Sequence, residues 1–358
     1  MSRLIRAAID TAALRANFDR IRNVAAGRRV IAVVKANAYG HGDLRVARAL
    51  GAADAFGVAR LEEGVALREA GITRPIVLLE GIVTREQLAE AAARELELVV
   101  HEPGQLALLE AWRGAHRFTL WLKLDTGMHR LGFPVSQAVA VRDRLAALAV
   151  PAAQLRLMTH FARADERDSP ETERQIACFR SAAVPLGLET SLANSAGLFG
   201  WPAAGGDWVR PGLSLYGVSP FAGESAASLG LAPVMTLTTT IIATRAVARG
   251  ECVGYGGVWC AARDSRIAVL AAGYADGLPR GLANGTPVMI GGQRAPLVGR
   301  VSMDMIAADV TDLPAVEVGM PAELWGGALP VAEIAAHGHT LAYELLCAVS
   351  QRVERVTT

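Results

Sequence analysis

Residues 29–42 read Arg29-Val-Ile-Ala-Val-Val-Lys35-Ala-Asn-Ala-Tyr39-Gly-His-Gly42, an apolar run that ends at a lysine and a glycine-punctuated loop. An uninterrupted apolar run is typical of a strand that is buried on both faces of a parallel sheet. A desolvated lysine can lose its proton, and the neutral amine can then attack a carbonyl carbon. Lys35, at the end of such a strand, is therefore a candidate nucleophile.

The choice of cations along the chain strengthens this interpretation. The sequence contains 36 Lys+Arg residues, of which only Lys35 and Lys123 are lysine, so the other 34 are arginine. Arginine stays protonated at any pH that a cell reaches and cannot act as a neutral amine. Both lysines lie in or at the end of an apolar run, which favours a chemical role over chance survival at packed or surface sites.

Seven further apolar runs follow the first, and helical segments lie between most of them. The eight runs are Arg29–Lys35, Ala55–Arg60, Pro75–Glu80, Leu96–His101, Phe118–Asp125, Leu155–Phe161, Glu189–Ser195 and Asp207–Pro211. The predicted helices include Thr11–Ala25, Leu61–Ala70, Thr84–Glu95, Pro103–Trp112, Ser136–Leu148 and Ser169–Ala183. Eight such β/α units predict a closed (β/α)8 barrel of the TIM type, and an open doubly wound sheet is the alternative.

Polar residues near the carboxyl ends of several predicted strands favour the barrel. They are Lys35, Arg130, His160, Ser195 and Arg210. Barrel enzymes assemble their sites from the C-terminal ends of different strands, so we expect these five side chains to meet at one mouth of the barrel.

From Leu231 onward the pattern changes to alternating threonine and valine segments that are broken by glycine pairs. This sequence pattern predicts short strands and therefore a mainly-β domain. A length of 358 residues also exceeds what one ordinary core holds. We predict a barrel over residues 1–230 and a β domain over residues 231–358, with a further short strand over residues 4–10.

Composition narrows the class of partner. The net charge of +1, with acids and bases mixed along the chain, gives no electrostatic signal for nucleic acid or an anionic membrane. The first residues lack the apolar run of a secretory signal, and no apolar stretch reaches the roughly 18 residues of a membrane helix, so we expect a cytoplasmic protein. The four cysteines show no C-x-x-C spacing. They predict neither a metal site nor a disulfide framework, and we interpret them as buried thiols.

The segment Ala-Val-Val-Lys-Ala-Asn-Ala-Tyr-Gly-His-Gly at residues 32–42 closely resembles the cofactor-lysine motif of bacterial alanine racemases, and matches recur from Ile5 to about Arg355. The resemblance implies a fold type III enzyme in which Lys35 carries pyridoxal 5′-phosphate as a Schiff base. It also implies that Tyr39 reaches the cofactor phosphate, and that residues 4–10 join the β domain.

The resemblance assigns roles to further residues around the cofactor. Within Trp121-Leu-Lys-Leu-Asp-Thr-Gly-Met-His-Arg130, the arginine would bond the cofactor's phenolic oxygen and help hold the substrate carboxylate, while Lys123 corresponds to a lysine that is carbamylated to N6-carboxylysine in many relatives. An unmodified Lys123 paired with Asp125 is the alternative. The remaining implied residues are His160 against the pyridine ring, Ser195, Gly212, Leu213 and Tyr343 at the phosphate, Met303 and Tyr274 at the substrate, and Asp165, Arg280, Arg300 and Leu341 along an entrance corridor.

Arg210 bears on the type of reaction. A carboxylate against the pyridine nitrogen would keep that nitrogen protonated and create a deep electron sink, which suits decarboxylation. An arginine cannot accept the proton. The weaker sink favours rapid return of a proton to Cα, which is the step that a racemase needs.

Tyr255 lies in Val253-Gly-Tyr255-Gly-Gly-Val-Trp259, which resembles the family motif that carries the second catalytic base. The resemblance implies interconversion of L-alanine and D-alanine by two-base proton transfer at Cα between Lys35 and Tyr255. It further implies a homodimer in which each β domain covers the partner's barrel, and D-alanine as a peptidoglycan precursor. The alternatives are a broad-specificity or serine racemase and a non-catalytic pyridoxal-phosphate-binding protein. The sequence departs from the family at Ser302 and in the tail, and these departures bear only on cofactor retention and on packing of the tail.

Overall fold

The computed structural model describes residues 4–358 as two sheets with surrounding helices. The strands are β1 (Arg6–Ile9), β2 (Arg29–Val33), β3 (Ala55–Val58), β4 (Ile76–Leu78), β5 (Glu97–Val100), β6 (Thr119–Asp125), β7 (Phe133–Pro134), β8 (Gln154–Met158), β9 (Glu189–Ser191), β10 (Trp208–Val209), β11 (Met235–Val247), β12 (Ser265–Leu270), β13 (Pro287–Ile290), β14 (Gln293–Val298), β15 (Ile306–Asp309), β16 (Pro321–Trp325) and β17 (Glu354–Thr357). The helices are α1 (Thr11–Ala25), α2 (Lys35–Tyr39), α3 (Asp43–Ala49), α4 (Leu61–Glu69), α5 (Arg85–Ala93), α6 (Pro103–Glu110), α7 (Ala138–Ala146), α8 (Glu171–Leu186), α9 (Ser195–Gly200), α10 (Val331–His337) and α11 (Ala342–Ala348).

Eight parallel strands form a closed barrel, as the alternating runs predicted. The order around the barrel is β5-β4-β3-β2-β10-β9-β8-β6, and pairing of β5 with β6 closes it. The apolar runs form this sheet because helices cover its outer face and side chains fill its interior, so both faces of each strand are buried. The open doubly wound alternative is therefore wrong.

Aromatic and charged side chains fill the interior towards the amino-terminal ends of the strands. The rings of Trp121 and Trp208 meet edge to face at 5.5 Å, and the guanidinium of Arg156 lies 4.9 Å from the first ring and 4.6 Å from the second. Glu97 and Glu189, at the first positions of their strands, form ion pairs with Arg156 at 3.2 Å and 2.9 Å. This end is packed and satisfied, which leaves the opposite mouth for chemistry.

Several predicted strands end earlier than their apolar runs. The run Glu189–Ser195 is a strand only to Ser191, and Ser195 begins α9 under an Asn194 side chain that accepts a hydrogen bond from the Gly197 N–H. The last run narrows to Trp208–Val209 because Arg210 and the following residues turn into the site. Conversely, helix α8 passes the predicted end at 183 and includes Pro185 in its last turn before Gly187.

The second sheet is mainly antiparallel and has the order β12-β15-β14-β13-β16-β11-β1-β17. The first strand of the chain lies inside it, antiparallel to β11 and parallel to β17, with Arg6 opposite Thr238 and Glu354. The described chain thus passes from this sheet through the barrel and back into the sheet.

The interpretation of the cysteines as buried thiols is wrong. Cys252 and Cys260 form a disulfide, Cys178 is half-buried and Cys347 is exposed. The sequence separation of 8 gave no signal because the pairing depends on the register of a hairpin, which brings these two positions opposite each other. Within residues 4–358, none of the helices combines the length and apolar character needed to cross a bilayer.

Candidate active site

Lys35 lies at the carboxyl end of the second strand, at the start of a turn with unusual backbone geometry. The four residues that follow it, Ala36, Asn37, Ala38 and Tyr39, have φ values of 55°, 54°, 52° and 51°. Consecutive left-handed residues other than glycine are rare, because each costs roughly 1–2 kcal/mol. Such strain persists only where the surroundings impose it, and it is concentrated at functional sites.

Side chains on both sides of this turn hold it in place. One carboxylate oxygen of Glu63 accepts a 2.7 Å hydrogen bond from the Ala36 N–H, and the other accepts a 2.8 Å bond from the Ala59 N–H. The buried His41 ring places Nδ1 2.8 Å from the Tyr39 carbonyl oxygen. Burial lowers the pKa of His41 to about 4, so the ring is neutral and Nδ1 carries the proton that it donates.

Aromatic rings lie behind the turn. Tyr39 stacks on Tyr216 with a centroid separation of 4.8 Å, and His41 stacks on Tyr216 at 4.5 Å. The Tyr216 hydroxyl donates a 2.9 Å hydrogen bond to the carbonyl oxygen of Val33, the last residue of β2. Tyr343 of α11 completes the group, 5.9 Å from the Tyr39 ring. The stack fixes the direction of Tyr39.

The residues predicted to bind phosphate come together beside Tyr39. The Ser195 hydroxyl accepts hydrogen bonds from the Gly212 N–H at 3.0 Å and the Ser214 N–H at 3.2 Å, and Leu213 is buried between them. The Tyr39 hydroxyl approaches the Gly212 backbone so closely that a Cβ at position 212 would collide with it. Backbone N–H groups, hydroxyls and a glycine that admits close approach form a cradle suited to an anion.

Four cations lie near one another at the same mouth. Lys123 is buried, and burial lowers its pKa to about 8, with further lowering by the positive charges of Arg210, Arg130 and Lys35. Asp125 pairs instead with His129, whose Nδ1 lies 2.9 Å away. Among residues 4–358 no ion pair joins Lys123 to Asp125, although the negative charge of Asp125 opposes the lowering of the Lys123 pKa. The carbamylated and the unmodified forms of Lys123 both stay predictions.

Arg210 lies at the centre of the cluster and is buried. Its guanidinium donates hydrogen bonds to the Ser191 hydroxyl at 2.6 Å and the Thr159 carbonyl oxygen at 2.5 Å, and it lies 3.4 Å from His160 Nδ1. Burial lowers the pKa of Arg210 to about 10, so the side chain remains protonated near neutrality. Burial, followed by Arg210 and the other cations, holds the pKa of His160 well below its usual range. His160 is therefore a neutral ring that accepts from Arg210 at Nδ1.

The residues predicted to complete the site from the β domain lie on exposed loops. Tyr255 is 68% exposed, Met303 52% and Tyr274 40%. Met303 and Tyr274 are neighbours, because the Tyr274 N–H bonds the Ser302 carbonyl at 3.0 Å and the Ala275 N–H bonds that of Met303 at 3.0 Å. Across the described chain, no hydrogen bond joins Tyr255 to a barrel residue, so the structure does not bring it together with Lys35.

Sequence reasoning missed several residues that shape the site. Glu63 is one of two acids in the first turn of α4, and Tyr216 is a buried aromatic, and neither feature distinguishes these residues in the sequence. His41 lies within the motif at residues 32–42, and its role depends on its contacts with Tyr39 and Tyr216. Only their proximity in the fold identifies them, since a hydrogen bond across 27 residues has no signature in a single sequence.

The arrangement can hold a planar, anionic group that reacts with an amine. Lys35 supplies the amine, the cradle at Ser195 and Gly212 suits a phosphate, and the surrounding cations suit an anionic ring oxygen. Within the described part of the chain, no group of three or more His, Cys, Asp or Glu residues could hold a metal ion. The fold and the site define a barrel enzyme of the pyridoxal-phosphate-dependent class.

Comparison with known proteins narrows this class. The family model for the N-terminal domain of alanine racemase matches residues 9–220, and that for the C-terminal domain matches residues 234–357. An alanine racemase of Chromohalobacter salexigens is 50% identical over 356 residues, which cover 99% of this chain and 98% of the relative. The crystal structure of the biosynthetic alanine racemase of Pseudomonas aeruginosa superposes with a TM-score of 0.97 at 46% identity and covers 100% of both chains.

A third comparison concerns the cofactor. Alanine racemase from Bartonella henselae, solved with covalently bound pyridoxal phosphate, has a TM-score of 0.90 at 28% identity and covers 100% of both chains. The chain belongs to the alanine racemase family, whose members depend on pyridoxal 5′-phosphate.

Proposed function

We propose that the protein interconverts L-alanine and D-alanine, and that Lys35 and Tyr255 exchange the Cα proton. The observation that carries the reaction type is Arg210, which is buried in the site, hydrogen-bonded on both terminal nitrogens and protonated near neutrality. A group that cannot accept a proton leaves the cofactor's ring nitrogen unprotonated. This favours rapid reprotonation of Cα over loss of the carboxylate.

The site residues fit pyridoxal 5′-phosphate. Lys35 would hold it covalently, and the phosphate would occupy the cradle formed by Tyr39, Ser195, Gly212, Leu213 and Tyr343. Arg130 would bond the phenolic oxygen, His160 would pack against the ring, and the Nε–H of Arg210 would face the ring nitrogen, since no residue among 4–358 accepts a hydrogen bond from it. When bound, the cofactor acidifies the Cα–H bond of the amino acid attached to it.

The residues of the chain would then divide the work of proton transfer. Lys35 Nζ would take or return the proton on one face of Cα, and Tyr255 Oη would do so on the other. Arg130 and the Met303 N–H would hold the substrate carboxylate, which orients the Cα–H bond towards one base, and Tyr274 would line the site. A carboxylate on Lys123 would replace a cation beside Arg130 with an anion, which would orient the Arg130 side chain. The Lys123 pKa of about 8 supports this modification, because only the neutral amine adds carbon dioxide.

The positions of these residues support a shared site in a homodimer. Tyr255, Met303, Tyr274 and Leu341 are large apolar or aromatic residues of the β domain that are exposed in the single chain, Leu341 by 66%. Burial of these side chains against a second copy would favour association. We propose that each β domain covers the barrel mouth of a second copy, so that a site takes Lys35 from one chain and Tyr255 from its partner.

The domain division and the cellular role belong to the same proposal. The barrel would span residues 1–230 and the β domain 231–358, with the first strand in the second sheet. The protein would act in the cytoplasm and supply D-alanine as a peptidoglycan precursor, which the similarity to a biosynthetic enzyme supports.

The decisive experiment is solvent deuterium incorporation at Cα, measured across a panel of L- and D-amino acids with the holoenzyme. We expect incorporation with both enantiomers of alanine and conversion of each into the other. Faster turnover of serine than of alanine would favour a serine or broad-specificity racemase. No exchange with any amino acid, despite a bound cofactor, would favour a non-catalytic cofactor-binding protein.

A further inference from the structure

The loop that carries Tyr255 is closed at its base by a disulfide. Cys252 and Cys260 lie opposite each other in an isolated antiparallel bridge, with Cα atoms 3.9 Å apart. The flanking hydrogen bonds run from the Val253 N–H to the Trp259 carbonyl at 3.0 Å and from the Ala261 N–H to the Glu251 carbonyl at 2.9 Å. The cysteines therefore occupy a non-hydrogen-bonded pair, where opposing side chains approach most closely.

Few hydrogen bonds of the described chain restrain the loop beyond this disulfide, although its backbone lies against Gly299 and Arg300. Gly254, Gly256 and Gly257 have φ values of 76°, 73° and 55°, and one hydrogen bond of 3.3 Å links the Gly257 N–H to the Gly254 carbonyl. The side chain of Asn284 donates a 3.2 Å bond to the Val258 carbonyl. Three glycines in a short loop give its backbone wide conformational freedom. The disulfide is the covalent constraint at the base of the loop that carries Tyr255.

We infer that the Cys252–Cys260 disulfide positions Tyr255 for proton transfer, and that its reduction lowers the rate of racemisation. The inference rests on the proposed function, in which Tyr255 is the second base. The cysteines are positioning residues, since neither is assigned a contact with substrate or cofactor. Transfer of a proton depends steeply on the distance and angle between the base and the Cα–H bond, so a wider loop slows the step that uses Tyr255.

The redox step requires an external reductant. A dithiol supplies two electrons and two protons: the Cys252–Cys260 bond breaks, two protein thiols form, and the reductant becomes a cyclic disulfide. Both cysteines are exposed in the single chain, so a small reductant can reach them. Disulfides in the reducing cytoplasm are usually transient and respond to redox conditions. If the disulfide positions Tyr255, the enzyme in the cytoplasm would be more active when Cys252 and Cys260 are oxidised to the disulfide.

The test compares oxidised and reduced holoenzyme. Air-oxidised protein, denatured and alkylated, should show two free thiols, because the disulfide occupies two of the four cysteines. Treatment with a small dithiol, monitored until four thiols are counted, should lower kcat about three- to ten-fold with little change in KM. The double variant C252S/C260S should match the reduced wild type and should not respond to the dithiol. Cys178→Ser, which removes a distant thiol, should keep the response.

A further readout separates positioning from general loosening. The kinetic isotope effect with Cα-deuterated alanine should rise on reduction for the one enantiomer whose proton Tyr255 removes, and should stay unchanged for the other. Four free thiols in the oxidised protein, equal kcat values before and after reduction, or an equal rise for both enantiomers would each overturn the inference. The variant Tyr255→Phe separates failure of this inference from failure of the proposed function. If Y255F is fully active, Tyr255 is not a catalytic base, and the proposed function fails whether or not the disulfide affects the rate.

Discussion

The carboxylate of Glu63 accepts a 2.7 Å hydrogen bond from the backbone N–H of Ala36, the residue directly after Lys35. Its second oxygen bonds the Ala59 N–H in the neighbouring β/α loop. One side chain thus joins the left-handed turn to the adjacent strand end, and Lys35 is held between a rigid strand and this anchor. Because consecutive left-handed residues are intrinsically unfavourable, the anchor stabilises a conformation that the chain would otherwise leave.

Replacing Glu63 should therefore affect the cofactor lysine without touching it. We expect Glu63→Ala to reduce the free energy of unfolding by about 1.5–3 kcal/mol, since it removes a charged hydrogen-bond acceptor from three backbone donors, the N–H groups of Ala36, Ala59 and Arg60. Cofactor affinity and kcat should fall as well. Glu63→Gln keeps one oxygen and should have a smaller effect. Glu62→Gln, at the exposed neighbouring position, is the control and should behave as wild type. Urea unfolding and cofactor titration provide the measurements.

Lys35 should be the only lysine that carries the cofactor. Purified protein should be yellow, and borohydride reduction should attach the cofactor permanently to the peptide that contains Lys35. Peptide mass mapping gives a direct answer because the chain has only one other lysine, Lys123. A label on Lys123 would reverse the two assignments.

Arg210 is the basis of the proposed reaction type, so its charge should control the outcome at the cofactor. We expect Arg210→Glu to slow racemisation by about 100-fold or more and to change the visible absorption spectrum, because a carboxylate can share a proton with the ring nitrogen. Arg210→Lys keeps the charge and serves as the control for lost hydrogen bonds to Ser191 and Thr159. If the glutamate variant shows normal turnover and an unchanged spectrum, Arg210 does not determine the reaction type.

The lowered pKa of Lys123 predicts a pH dependence of stability. In carbon-dioxide-free buffer the folded protein should release this proton near pH 8 while the unfolded chain keeps it to about pH 10.5. Between these values the unfolded state binds more protons, so the free energy of unfolding should rise with pH, by on the order of 3 kcal/mol relative to Lys123→Met. Below pH 8 the difference should be flat. Addition of bicarbonate should add the mass of carbon dioxide to wild type and not to the variant.

The barrel could be predicted from sequence because burial on both faces leaves a plain record of apolar runs, and the residues at their ends share one mouth by topology. The left-handed turn could not, since Ala36 and Ala38 carry no local preference for positive φ and the turn depends on Glu63. The disulfide could not be predicted for a related reason: whether Cys252 and Cys260 lie opposite each other depends on the register of the hairpin. The roles of Tyr255 and Met303 could be predicted only from the family resemblance, because both residues lie in the β domain and the other proposed site residues lie mostly in the barrel.

The proposed exchange of Tyr255 between chains can be tested by complementation. Lys35→Ala and Tyr255→Phe homodimers should each be nearly inactive, since every site lacks one base. A mixed dimer contains one site with both bases and one with neither. Random re-association of equal amounts makes about half of the dimers mixed, so about a quarter of the wild-type sites should return under two-fold symmetry. The Lys35→Ala, Tyr255→Phe double variant mixed with wild type is the control: neither site of a mixed dimer is complete, so activity should fall to about half of its value before exchange. If mass spectrometry shows subunit exchange and no activity returns, Tyr255 acts within its own chain or is not the second base.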